Sequence, residues 1–364
     1  MRILLLFSSS ELGGAERSLC RMAFYSKKID WQLATLCGEG PWCDWVRARG
    51  YEPLVLGRSS ESSGLMLTSF IRLFWYLRRS NVNLIYVCGF RASLVLRFFK
   101  IFSQNINIVH GVRWNPDSNN LRDSLFRLAE RLTYPLVDAW ITNSDIARQT
   151  LIQECHIPAS RVYRVYNGIE LTPKKIIPVN KRPFNILTVA NLNFVKGHLE
   201  YLHVIKAIVR LFPAARFIFV GRDDMNGLVQ KAIKNLGLSY FVKYEGFHDD
   251  VSPWLREARL FVLPSLNEGC PTALLEAMSY GIPCVAFRVG GIPELFANEG
   301  HGILLEKGDY EGLTGAINHL LKDNLASSKQ ATIGLNHVFS NFHIKSSELG
   351  HFMAFTDILT KKIS

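Results

Sequence analysis

Long apolar runs are missing from this 364-residue chain. None approaches the ~18–20 residues that a membrane-spanning helix requires. The apolar start, Met1–Phe7, gives way to Ser8, Ser9 and Ser10. It is short for a signal-peptide core and suits a first buried strand. Seven cysteines, an odd number, stand apart with no C-x-x-C pair, so neither a disulfide framework nor a zinc site is expected. Thiols acting as small hydrophobes point to a reduced, cytoplasmic setting. The chain lacks G-x-G-x-x-G, which argues against a dehydrogenase-type dinucleotide site. It also lacks a basic run of five or any recognised nucleic-acid module, so no nucleic-acid partner is expected. Low-complexity segments and internal repeats are absent as well.

What is present is ordinary for a folded protein: 48% hydrophobic and 20% charged residues. The length exceeds a single ordinary core and predicts two domains of about 170 residues each. Positive charge dominates, with a net +11 and 42 Lys/Arg against 31 Asp/Glu. Residues 1–170 hold 21 Lys/Arg and 14 Asp/Glu, or +7, which leaves +4 for residues 171–364. The excess sits among large apolar residues in Phe70–Arg79 and Arg91–Phe102. Two readings fit those segments: helices lying in an anionic membrane surface, peripheral on the inner membrane, or core helices with their arginines in water.

Short apolar runs alternate with helical patterns along the chain, the signature of parallel sheets covered on both faces. Strands are predicted at Arg2–Phe7, Trp31–Leu36, Glu52–Leu56, Asn83–Val87, Asn107–Val112, Ala139–Asn143 and Val162–Val165. Helices fill the gaps between them, including Leu65–Arg79, Arg91–Phe102 and Leu121–Tyr134. Tyr166–Asn180 loses periodicity, carries two prolines and reads as a linker. A second alternation then runs from Asn185 to Phe287, followed by helices near Pro293–Ala297, Tyr310–Lys322 and Ser346–Lys361. The expected fold is α/β, with two doubly wound Rossmann-like domains, 1–170 and 171–345, facing across a cleft. Residues 346–364 would form a helix packing back on the body.

The most informative stretch is Ser265–Glu276, S-L-N-E-G-C-P-T-A-L-L-E. It follows a buried-strand pattern, Ala258–Pro264. Gly269 permits a tight turn and Pro271 suits a helix start. Glu268 then lies on the loop, and Glu276 one to two turns inside the helix. Free amides at the positive helix end between them suit a phosphate, and carboxylates accept well from sugar hydroxyls. Two neighbouring strand ends carry similar loops. Lys196 and Gly197 open a helix after Asn185–Val189, where a cation can neutralise a diphosphate. Gly290, Gly291 and Pro293 open another after Pro283–Phe287. In open α/β sheets such strand ends are where ligands bind. Near the N-terminus, Gly13 and Gly14 let the backbone approach a ligand closely.

These residues resemble the retaining family-4-type glycosyltransferases of GT-B fold, and the resemblance covers almost the whole chain. It rests on E-x₇-E as Glu268–Glu276, V-G-G-I-P-E at Val289–Glu294, and K-G-H at Lys196–His198. Y-N-G-I at Tyr166–Ile169 and G-G-A-E at Gly13–Glu16 complete it. The resemblance implies that Glu268 holds donor-sugar hydroxyls and Glu276 the ribose. Lys196 would hold the diphosphate, with backbone amides from Cys270, Thr272 and Ala273 around it, Gly269 and Pro271 lining the same donor site, and Arg222 reaching the nucleotide. Gly13 and Gly14 would line the floor where acceptor and phosphate meet. No metal and no cofactor are implied, the donor being a UDP- or GDP-sugar, so Asp223-Asp224 and Asp249-Asp250 read as solvated loop charges. The R-W-N-P-D segment from Arg113 resembles bacterial enzymes that act on lipid-linked surface-polysaccharide acceptors.

Two positions depart from the family pattern. Asn191 stands where an arginine is usual, which shifts diphosphate binding onto Lys196 and Arg222. Arg113 occupies the place of an expected histidine, with His110 three residues earlier. Strand alternation sends 110 and 113 to opposite faces. Arg113 is read as facing the cleft, a catalytic candidate with Glu268 and Lys196, and His110 as a satisfied interior histidine. The alternatives are a catalytically degenerate scaffold of the same fold, or a nucleotide-sugar 2-epimerase.

Overall fold

The first strand, Arg2–Phe7 (β1), sets the pattern of its sheet. Ile3, Leu5 and Phe7 enter one buried cluster and Leu4 and Leu6 another, because successive strand side chains point to opposite faces. A strand buried on both faces belongs inside a parallel sheet covered on both sides. The computed structural model describes residues 1–58, 66–82, 84–102, 106–114, 121–171, 176–298 and 300–361. The chain divides into two units, Met1–Gly168 with Ile344–Ser364, and Ile169–His343.

In the first unit β1 is joined by Asp30–Thr35 (β2), Leu54–Val55 (β3), Leu84–Cys88 (β4), Asn107–Val112 (β5), Ala139–Thr142 (β6) and Val162–Arg164 (β7). All pairings are parallel, in the order β3-β2-β1-β4-β5-β6-β7. Gly14–Tyr25 (α1) and Pro41–Arg47 (α2) cover one face. Met66–Arg79 (α3), Phe90–Phe102 (α4) and Leu121–Thr133 (α5) cover the other, and Asp145–Gln153 (α6) connects β6 to β7.

The second unit repeats the plan. Asn185–Val189 (β8), Arg216–Val220 (β9), Val242–Gly246 (β10), Leu260–Leu263 (β11), Cys284–Phe287 (β12) and Ile303–Leu305 (β13) pair in parallel, in the order β10-β9-β8-β11-β12-β13. The strand order reverses direction between β8 and β11, the switch point where α/β sheets open a crevice at their carboxyl ends. The helices are His198–Leu211 (α7), Leu228–Asn235 (α8), Ser252–Glu257 (α9), Thr272–Ser279 (α10), Ile292–Phe296 (α11), Tyr310–Lys322 (α12) and Asn324–Asn341 (α13). The chain then returns to the first unit as Ile344–Thr360 (α14), whose Ala354, Phe355 and Ile358 complete the cluster around Ile3, Leu5 and Phe7.

Two elements escaped the sequence reading, β13 and α13. The buried positions of α13 are Ser327, Gln330, Ala331, Gly334 and Val338. Their spacing is helical, but polar or small side chains hide it from any hydrophobic count. Gln330 earns its burial by accepting from the Cys284 amide at 2.9 Å, and Asp323 caps the helix at the Leu325 and Ala326 amides. The predicted strand Glu52–Leu56 contracts to Leu54–Val55. Leu65, Asn83 and linker residues 172–175 lie outside the described residues.

Between β5 and the α4–α5 pair, buried charge replaces apolar packing. Glu130 of α5 accepts from Arg97 of α4 at 2.5 Å and from Trp140 of β6 at 2.8 Å, with His110 Nδ1 of β5 at 3.0 Å. Burial opposes ionisation of this carboxyl, yet His110 and Arg97 together hold it below the ordinary range. Removing Glu130 strands a buried guanidinium, so Glu130→Ala should cost about 3–5 kcal/mol in a urea titration. Acid should also weaken the fold. Burial holds His351 neutral down to about 3 and His198 down to about 4, with Arg113 and Lys196 adding to the effect. Unfolding frees each ring to take up a proton near pH ~6.5. Stability is therefore complete above that value and falls as pH drops towards about 4, by up to ~1.4 kcal/mol per group per unit. His351→Gln should flatten this slope in urea midpoints measured from pH 7.5 to 5.

Candidate nucleotide-sugar site

The loops after β8, β9, β11 and β12 are bound to one another at the carboxyl end of the second sheet. After β8 the chain makes a turn at Phe194–Lys196, and Gly197 opens α7 with φ +68. A Cβ at Gly197 would lie 2.2 Å from the Pro264 carbonyl, so glycine is required on steric and conformational grounds. The Leu266 amide donates to the Val195 carbonyl at 2.7 Å, joining the β8 and β11 loops. At Gly290, φ is +51 and a Cβ would fall 1.7 Å from the Glu268 carbonyl. Gly291 donates to the Gly269 carbonyl at 2.9 Å, which joins the β11 and β12 loops. The β9 loop is attached through Leu192, whose amide donates to the Arg222 carbonyl at 2.7 Å.

Within this framework Lys196 Nζ donates to Glu268 Oε1 at 2.6 Å. Glu268 is 9% exposed and Lys196 half-buried. The pair orients both side chains, and Glu268 Oε2 takes no bond among the described residues. Pro271 precedes α10, and no side-chain oxygen caps that helix. The first-turn amides at Thr272 and Ala273 therefore have no acceptor within the helix. Glu276 lies half-buried in the second turn. Among the described residues, buried His198 finds no bond at either ring nitrogen, and the buried Ser265 hydroxyl has no partner. Sequence reading placed both inside motifs, K-G-H and S-L-N-E-G, but gave neither a role of its own.

The departures from the family pattern gain a physical account. Asn191 Oδ1 accepts the Arg222 amide at 3.0 Å, so this side chain ties two loops together and supplies no charge. Arg222 Nε donates to Asp224 at 2.6 Å. Asp223 accepts from the Met225 and Gly227 amides and from Gln230, and Asp250 caps α9 through Ser252. Asp224 and Asp250 are exposed and Asp223 half-buried, so they are solvated loop charges as expected, and each also holds a turn or an ion pair.

In the first unit Gly13 and Gly14 stand at the start of α1. Glu16 Oε2 would lie 2.6 Å from a Cβ at Gly13, whereas one at Gly14 meets nothing within 4 Å. Positions 110 and 113 fall on opposite faces of the sheet. The Arg113 guanidinium donates to Asn167 Oδ1 at 3.1 Å and to the Tyr86 hydroxyl, and lies 3.0 Å from His351 Nε2 on α14. It braces the segment leaving the first unit against the helix that returns to it. His351 is 238 positions away, so no local pattern could have announced it. His110 is buried, but the reading of it as satisfied is corrected: Nδ1 meets Glu130 while Nε2 has no partner among the described residues. Residues 115–117 of R-W-N-P-D lie outside the described residues.

Comparison with known proteins falls on both units. Residues 12–172 match the description Glycosyltransferase Family 4, and residues 183–323 match Glycosyl transferases group 1. The chain is 23% identical to the UDP-Gal:alpha-D-GlcNAc-diphosphoundecaprenol alpha-1,3-galactosyltransferase of Escherichia coli, over 71% of each chain. It is 31% identical to the amylovoran biosynthesis glycosyltransferase AmsK of Erwinia amylovora, over 44% of this chain and 42% of that protein. Among solved structures it superposes on HepE of Anabaena, crystallised with UDP-glucose, with a TM-score of 0.81 and 20% identity, covering 98% of this chain and all of that one. At that identity the likeness is one of fold.

The crowding at Gly290 gives a direct test. Gly290→Ala places a methyl against the Glu268 carbonyl in a left-handed backbone and should cost about 1–3 kcal/mol. Gly227→Ala also sits at positive φ, +80, but meets nothing within 4 Å, so it should cost less. Thermal melts of both variants check the difference.

Proposed function

Since the chain belongs to the family 4 glycosyltransferases and carries their GT-B fold, we propose that it transfers a hexosyl or N-acetylhexosaminyl unit from a UDP- or GDP-sugar. The acceptor is a hydroxyl of a lipid-linked glycan in surface-polysaccharide biosynthesis, and the configuration at the anomeric carbon is retained. The observation that carries this reading is the Lys196–Glu268 pair, fixed beside the uncapped start of α10 at the strand-order reversal of the second sheet. Names borne by relatives support the substrate class. The Escherichia coli relative takes a UDP-linked sugar to a diphosphoundecaprenol acceptor, and the Anabaena structure holds UDP-glucose.

In this scheme the diphosphate rests against the first-turn amides of α10, where partial positive charge favours an anion. Lys196 neutralises charge that grows on the leaving diphosphate as the glycosidic bond breaks. Glu268, oriented by Lys196, accepts from a donor-sugar hydroxyl through Oε2, and Glu276 accepts from the ribose. The acceptor oxygen attacks on the face from which the diphosphate departs, and a diphosphate oxygen takes its proton. No protein nucleophile is then required. Lys196 and the helix end supply the positive charge that a metal ion would otherwise provide. The chain works on the cytoplasmic side of an anionic membrane that presents the acceptor, and no helix among the described residues is long and apolar enough to cross it.

Donor binding and transfer test the proposal. A panel of UDP- and GDP-sugars should raise the melting temperature of the protein, since a ligand of the native state stabilises by mass action. Glu268→Ala should lower kcat/KM by roughly 10²–10³. Lys196→Ala should do likewise, and Glu276→Ala should act mainly on nucleotide affinity. A wild-type protein that neither shifts with any donor nor transfers, and is indistinguishable from Glu268→Ala, would refute the reading.

A further inference from the structure

Three consecutive helices, α3, α4 and α5, lie on one face of the first sheet and expose no carboxylate. Neither α3 nor α4 contains an acidic residue. The two acids of α5, Asp123 and Glu130, are both buried. Adjacent members of the layer are in contact: Phe70 and Phe74 of α3 meet the Phe99 ring of α4, and Arg97 of α4 reaches Glu130 of α5. The exposed charges on these helices are Arg78, Arg79, Arg91, Arg122 and Arg131.

On α5 this cationic face is also apolar. Leu121, Leu125, Leu128 and Leu132 are each more than half exposed. Their 4-3-4 spacing places them in one stripe along the helix, about 20 Å long at ~1.5 Å per residue. Arg122 and Arg131 flank the stripe. A second exposed pair, Ile71 and Trp75, stands on α3, where Arg79 lies over the Trp75 ring and Arg78 over Phe74. Exposed apolar stripes on soluble proteins are normally covered. Sequence reading left Phe70–Arg79 and Arg91–Phe102 between a membrane surface and core helices with their arginines in water. In the structure the exposed apolar surface is on α3 and α5, and α4 exposes Arg91 but no large apolar side chain among its described positions.

We propose that the leucine stripe of α5 docks this protein on an anionic lipid bilayer. The leucines enter the boundary between headgroups and acyl chains, and the flanking arginines reach lipid phosphates along their methylene stems. Charge decides against the rival occupant. A second copy of this chain would bring the same leucines but also the same arginines, with no exposed acid on the helix to pair them. An anionic surface meets both demands, attracting the arginines while the leucines leave water. This inference rests on the proposed function only for its purpose, which is to hold the chain where a lipid-linked acceptor is presented. The docking itself stands on the surface.

Flotation of the full chain with vesicles tests it, using phosphatidylcholine alone or with roughly one-third phosphatidylglycerol. The wild type should float with the anionic vesicles, less so in high salt, and not with the neutral ones. Leu125→Glu/Leu128→Glu, the gentler Leu125→Ser/Leu128→Ser, and Arg122→Glu/Arg131→Glu should each cut partition at least about tenfold. Each should keep the wild-type melting temperature and its shift with nucleotide sugar. Failure of the wild type to float, or flotation unchanged in the three variants, overturns the proposal. So does a dimer in sedimentation velocity that the leucine variants abolish while lipid partition is unaffected. Should no nucleotide sugar shift the melting temperature while flotation behaves as described, the transferase reading falls and the docking surface stands.

Discussion

Backbone crowding at the carboxyl ends of β8, β11 and β12 is the constraint on which the candidate site depends. Gly197 lies too close to the Pro264 carbonyl, and Gly290 too close to the Glu268 carbonyl, for any side chain to intervene. Those approaches let main-chain hydrogen bonds link three loops that are remote in sequence, and the links bring Lys196 within 2.6 Å of Glu268. The ion pair is therefore a consequence of the loop framework. A carboxylate as buried as Glu268 would be costly alone. With Lys196 against one oxygen it is compensated, and the other oxygen remains available. Charge, orientation and access are all set before any ligand arrives, which is the preorganisation that electrostatic catalysis requires.

Legibility of the fold from sequence followed the physics of each element. Strands buried on both faces, such as β1 and β11, announce themselves as short continuous apolar runs between turn residues; β1 keeps its expected bounds, and β11 contracts from Ala258–Pro264 to Leu260–Leu263. Helix α13 did not, because its interior face is made of serine, glutamine, alanine and glycine, and its stability comes from Asp323 capping and the Gln330 bond. The candidate site divides the same way. Glu268, Lys196, Gly197 and Gly290 carry local signatures: glycines before helix starts, and charge at the ends of strands. The partners of Arg113 carry none, since Tyr86, Asn167 and His351 meet only through the tertiary fold. Nor could composition reveal that Asn191 had become a hydrogen-bonding tie, or that both acids of α5 turn inward.

The first unit uses its charges differently from the second. Its basic excess does not gather at strand ends. Part of it is internal, where Arg97 is neutralised by Glu130 beneath α5. The exterior is affected as well, because a helix whose two acids are both buried is left with leucine and arginine outside. The Arg97–Glu130 bond thus gives α5 an inner anchor, and the burial of both acids sets the character of its outer face.

The closing helix carries a consequence for biosynthesis. Residues 169–343 form the second unit, whereas the first requires α14, which is synthesised after the whole of the second. The order of synthesis is therefore not the order of completion. The first sheet must wait, with Ile3, Leu5 and Phe7 incompletely covered, until α14 emerges to seal it. Loss of that tail would damage the half of the molecule made first, and leave the half made later intact.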